Sequence, residues 1–94
     1  MVWQTPKLKA LAKTMLSFPD AGSLCKFLRD LCTLEELAEL SRRWQAVQLL
    51  HDGLPYRAVA KRTGLSTTTV TRIAHWLHHG EGGYRAALRQ QKRR

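Results

Sequence analysis

The chain has 94 residues, 44% of them apolar, and sixteen Lys and Arg against seven Asp and Glu give a formal net charge of +9. A chain of this length suits a single domain over residues 1–94 whose core is modest for its surface, so dimerisation would help it. No stretch approaches the ~20 apolar residues of a membrane helix, and Lys7, Lys9 and Lys13 interrupt the N-terminal apolar residues too often for a signal peptide.

The first predicted helix lies in PKLKALAKTMLSF, where Leu8, Leu11, Met15 and Phe18 recur at spacings of three and four. Pro6 suits a first helical turn, and Pro19 stops the helix. DAGSLCKFLRDLC follows, with Leu24, Phe27, Leu28 and Leu31 on one face and Asp20 or Ser23 as its cap. Cys25 and Cys32 read as reduced, mostly buried thiols of a cytosolic protein, because no second ligand pair accompanies them.

In the third helix Thr33 and Glu36 form a capping box, with Cys32 and Leu37 as its hydrophobic staple. Leu34, Leu37, Leu40, Trp44, Val47 and Leu50 then make one long apolar stripe, which predicts the spine of the domain. Gly53 ends it. The carboxylates Glu35, Glu36 and Glu39 lie on the solvent side of this helix without a partner base, nucleophile or glycine-rich loop. No constellation for catalysis is present, and a non-enzymatic role is expected.

LPYRAVAKRTG predicts a short helix with Pro55 in its first turn, and STTTVTRIAHWLHH predicts the next one, capped by Ser66. The hydroxyl run is a helix start and not a loop. Val70, Ile73, Ala74 and Leu77 continue through it at helical spacing as an inward stripe, with Thr68, Thr71, Arg72 and His75 on the other side. GEGGY is a turn, and YRAALRQQKRR a last, basic, fraying helix.

Two short helices joined through a glycine make a helix-turn-helix, here over about residues 55–79. Its physical requirements are a small crossing residue, a turn glycine and apolar locking residues, which Ala60, Gly64, Val70 and Ile73 supply. The second helix of such a motif enters the major groove of double-stranded DNA. Short hydroxyl side chains let the backbone approach closely, and threonine adds a donor, an acceptor and a methyl for the thymine methyl. Thr67, Thr68 and Thr71, with His75 one turn on, are the base-edge candidates. Arg57, Lys61, Arg62, Ser66 and Arg72 are the phosphate candidates. Charge agrees: residues 48–94 hold nine Lys and Arg against two acids, whereas residues 1–47 hold seven against five. His75, His78 and His79 could present two imidazoles one turn apart, but no carboxylate or cysteine is near, so they read as a basic helix end. No metal or cofactor is expected.

The stretch CTLEELAELSRRWQAVQLLHDG through TTTVTRIAHWLHHGEGGY resembles the Trp repressor superfamily, and most of all its small YerC/YecD branch, whose helix-turn-helix ends in a G-x-G-G-Y turn. The resemblance covers roughly residues 20 to 90. It implies an all-α, intertwined homodimer in which N-terminal and C-terminal helices interlock and two reading heads face one side of the DNA. It also implies positions for a bound tryptophan: Arg43 and Arg72 match the arginines on either side of the indole, and Thr33 matches a threonine that holds the amino acid. Ile73 and Trp76, however, stand where the repressor keeps a glycine and a serine, and their bulk fills the space a ligand needs. A cytoplasmic, bacterial, homodimeric DNA-binding transcription regulator without a tryptophan corepressor is therefore expected. Trp76, with Ile73, would pack between the spine helix and the reading helix. The alternatives are an L-tryptophan-responsive repressor and, from another class, a helical adaptor or RNA-binding protein.

Overall fold

A computed structural model describes residues 2–92, with the backbone alone described for Lys92. It has six helices and no strand among the described residues: α1 Pro6–Leu16, α2 Ala21–Leu31, α3 Leu34–His51, α4 Tyr56–Thr63, α5 Thr67–His79 and α6 Gly83–Lys92. The chain divides into two compact units, Met1–Leu37 and Ala38–Arg94, with α3 running across the boundary. The all-α expectation holds.

In the first unit, α1 starts at Thr5, whose hydroxyl accepts from the Leu8 amide at 3.1 Å. It ends at Leu16, two residues before the last apolar residue of its stripe, as the Ser17 hydroxyl bonds back to the Thr14 carbonyl at 2.6 Å. Asp20 caps α2: its carboxylate accepts from the Ser23 amide at 2.7 Å and from the Ser23 hydroxyl at 2.9 Å. The two capping candidates are thus one device, acceptor and donor. The capping box of α3 is reciprocal, with Thr33 Oγ1 accepting from the Glu36 amide at 3.0 Å and Glu36 Oε1 accepting from the Thr33 amide at 2.8 Å. Neither α1 nor α2 contains a buried residue. Cys25, expected to be mostly buried, is exposed, and Cys32 is half-buried at the C-cap of α2. Both thiols are free.

The second unit holds the core. Ala46 and Val47 of α3 share a cluster with Val59, Leu65, Val70, Ile73, Leu77 and Leu88. The expected spine is therefore only half buried. Val47 is fully covered, but Leu34 and Leu40 remain 65% and 55% exposed, because α4 to α6 gather on the C-terminal half of α3. Pro55 stands just before α4 as its N-cap, not inside its first turn. The last helix is also better anchored than a fraying segment. Leu88 is buried, and Arg85 donates from Nε to the Leu77 carbonyl and from Nη2 to the His78 carbonyl, both at 3.0 Å. A cation on the last carbonyls of α5 meets the negative end of that helix. Residues 93 and 94 of the basic tail lie outside the described residues.

The Asp20 cap has a pH consequence. The Ser23 amide, and then the Ser23 hydroxyl, hold the Asp20 carboxyl below its ordinary value of 3.8. A carboxyl with the lower pKa in the folded state contributes its cap fully above the unfolded value and loses it as pH falls through the folded one. In an NMR acid titration, Asp20 should titrate below 3.8 with the Ser23 amide shift moving in step. Titration at or above that value would contradict the cap.

Candidate nucleic-acid interface

The helix-turn-helix forms from local rules. Thr63 Oγ1 donates to the Val59 carbonyl at 2.8 Å and accepts from the Leu65 amide at 3.2 Å, so a buried hydroxyl ties the end of α4 to the turn. Gly64 adopts φ 80°, and its amide donates to the Ala60 carbonyl at 2.9 Å. That left-handed conformation strains any residue with a Cβ, which explains the glycine four positions after Ala60. Leu65 is buried in the turn as expected. Ser66 Oγ then accepts from the Thr69 amide at 3.1 Å and starts α5.

Val70 and Ile73 are fully buried, and Ala74 and Leu77 nearly so. At about 100° per residue this inward stripe fixes the outward one. Thr67, Thr68, Thr71, Arg72 and His75 are all exposed on it, together with His79. Arg57, Lys61 and Arg62 are exposed on α4. The expected base-edge and phosphate candidates thus share the surface of one compact unit, and none of the four cations among them is in an ion pair among the described residues.

The hydroxyls divide by role. Ser66 is occupied as the cap and donates to Thr69 Oγ1 at 3.0 Å, which also draws the half-buried Thr69 into the cap. Thr71 Oγ1 donates to the Thr67 carbonyl at 2.9 Å, leaving outward its methyl and a residual acceptor. Thr67 and Thr68 side chains make no hydrogen bond among the described residues, so their donors and acceptors are available. At the far end of α5, a Cβ on Gly80 would run into the Trp76 carbonyl oxygen, so the helix stops where only glycine fits. There Leu50, Leu77 and Leu88, rimmed by His51, His78, Arg85 and Arg89, line a cleft of about 370 Å³.

Two of the three tryptophan-pocket candidates have local partners instead. Arg43 Nε bonds Glu39 Oε2 at 3.1 Å, a pair one helical turn apart. Thr33 belongs to the other compact unit and serves its capping box. Arg72 is exposed. Ile73 is in the core as expected, but Trp76 is not: it is 43% exposed. Its position lies off the inward stripe on the flank of α5, so helical rotation, not lack of apolarity, keeps it out. Sequence reasoning missed Arg85 as well. A basic residue after a helix end is a weak signal for capping, because the turn between them decides its reach.

Several known proteins are similar to this chain in sequence or fold. The Trp repressor protein family model matches residues 6–92. The uncharacterized protein YerC of Bacillus subtilis (strain 168) is 33% identical over 86 residues, which cover 92% of this chain and 83% of that protein. The crystal structure of a TrpR-like protein from Eubacterium eligens superposes with a TM-score of 0.88 at 29% identity, covering 95% of this chain and 92% of that one. A Staphylococcus aureus structure superposes with a TM-score of 0.87 at 27% identity, over 95% of this chain and 89% of its own. A family match over nearly the whole described chain, joined to a helix-turn-helix with its capping and locking residues in place, settles the kinship: this chain belongs to the Trp repressor protein family.

Proposed function

We propose that this protein is a homodimeric, sequence-specific DNA-binding transcription regulator that reads the major groove with the outer face of α5 and needs no tryptophan corepressor. One observation carries the reading. The buried stripe of α5 leaves Thr67, Thr68, Thr71, Arg72 and His75 outward in the basic half of the chain, on the same compact unit as the exposed cations of α4. Family membership supports it, since this family is a regulatory and not a catalytic one. The phosphates take Arg57, Lys61, Arg62 and Arg72, and the Ser66 cap adds the amides of a helix N-terminus. Among the described residues no helix is long and apolar enough to cross a membrane. A DNA-binding role places the protein in the cytoplasm, at the nucleoid.

Homodimerisation is supported by uncovered apolar surface. α1 and α2 have no fully buried residue, and Leu16, Leu31, Leu34 and Leu40 are 85%, 52%, 65% and 55% exposed. Soluble monomers seldom leave so much large apolar surface in water, and a second copy covers it. Independence from tryptophan is supported by the engagement of Arg43 with Glu39 and by the bulk of Ile73 in the core.

Three measurements test these statements. Thr68→Ala or Thr71→Ala lowers affinity for the selected site by ~1–3 kcal/mol and relaxes base preference. Arg57→Ala or Lys61→Ala weakens all duplexes alike and flattens the salt dependence by about one unit per lost phosphate contact. Threonine variants with unchanged base preference would place the reading face elsewhere, and equal affinity for RNA and random DNA would favour the adaptor or RNA-binding reading. Light scattering should give about twice the 10.8 kDa chain mass, and a well-folded monomer at micromolar concentration would contradict the dimer. Calorimetry with millimolar free tryptophan should show no saturable heat and no change in DNA affinity. Stoichiometric binding that tightens DNA would instead establish the L-tryptophan-responsive repressor.

A further inference from the structure

We infer that His75 and His79 form an open binding site for a divalent transition-metal ion such as zinc, and that the bound ion strengthens the protein's hold on DNA. The second half rests on the proposed reading of α5 as the DNA face; the first half does not. The two imidazoles lie one helical turn apart with ring centres at 5.1 Å and planes tilted by 45°. Zinc–imidazole bonds of about 2.0–2.1 Å at a tetrahedral angle put two ligand ring centres about 5 Å apart, so the ring separation already matches what a shared ion requires. Both residues are exposed, and neither side chain makes a hydrogen bond among the described residues. The competing pair, His78 and His79, is wider at 6.3 Å.

Among the described residues no cluster of three His, Cys, Asp or Glu side chains is placed to hold a metal. Two protein nitrogens therefore leave the remaining positions to water, which makes the site weak and exchangeable rather than structural. The neighbouring Arg72 lowers its affinity further by like charge. The same openness gives it a use. His75 belongs to the proposed reading face, so the ion's free positions point where DNA would lie, and a phosphate oxygen or a purine N7 can displace a water. A dication on a polyanion-binding face also adds attraction directly. By linkage, DNA then raises zinc affinity by the factor with which zinc raises DNA affinity.

The test is a zinc sulfate titration of the untagged full chain, followed by the histidine ring signals in NMR and by calorimetry, without DNA and with it. Without DNA, one zinc per chain should shift the His75 and His79 rings. His78→Ala should keep that site, and His79→Ala should weaken zinc at least about tenfold. With DNA, zinc should tighten wild-type binding about tenfold, whereas His79→Ala should match the wild type in metal-free affinity and ignore zinc. Unmoved His75 and His79 rings, or equal zinc binding by His79→Ala, would overturn the site. Zinc that binds the pair but leaves DNA affinity unchanged or lower would overturn the coupling. Failure of every duplex to bind, with or without zinc, would sink the DNA reading and the coupling, and the ring titration would still decide the site.

Discussion

Burial of the inner edge of α5 is the constraint from which the rest of the arrangement follows. Val70 and Ile73 are fully covered in one cluster with Val47 of α3 and Val59 of α4. Each such side chain contributes about 1.5–3 kcal/mol by leaving water, and truncating a buried isoleucine to alanine costs roughly 2–5 kcal/mol. That is a large share of the 5–15 kcal/mol typical of a whole domain. The helix therefore has one rotational setting. With the setting fixed, the identity of the outward residues is a matter of helical geometry: Thr67, Thr68, Arg72 and His75 carry their side chains to solvent without a hydrogen-bond or ion-pair partner among the described residues, while Thr71 bonds back to the Thr67 carbonyl.

Around that constraint, polar groups fix where α5 begins and ends. Gly64, Thr63 and Ser66 define its start within a few ångströms of the turn, and Arg85 satisfies carbonyls at its end. Precise ends matter for a helix that enters a groove, because one residue of slip rotates every contact by about 100°. The hydroxyl run is economical in this respect: Ser66 and Thr69 hold the N-terminus, Thr71 bonds back along the helix, and Thr67 and Thr68 remain free to meet another molecule.

Much of this was legible in the sequence where the causes are local. The capping box at Thr33 and Glu36, the cap at Ser66, the glycine of the turn and the inward stripe of α5 depend on neighbours within a few positions, and spacing exposes them. The exposed side of α5 follows from the same period, so which of its residues face solvent was legible with it. What escaped depends on non-local covering. The apolar stripe of α3 reads as continuous from Leu34 to Leu50, yet only its C-terminal half is covered within the chain, and periodicity says that a face is apolar without saying what covers it. Trp76 escaped because the resemblance set it where the repressor keeps a small pocket residue, while its angular position on α5 favours the flank. Cys25, too, follows its place on a helix that has no fully buried residue. Arg85 was hidden by the turn between it and the carbonyls it reaches. The spacing of His75 and His79 was visible, but the closeness of their rings was not, since it depends on side-chain conformation.

The central claim is that the outward face of α5 meets DNA. Amide chemical-shift mapping of the full chain against a genomically selected duplex tests it most directly, at two salt concentrations to separate steering from docking. The account predicts that the largest changes fall on Thr67, Thr68, Thr71, Arg72 and His75, with smaller, salt-sensitive changes on Arg57, Lys61 and Arg62. Changes concentrated on α1 and α2, with those residues of α5 unmoved, would contradict it.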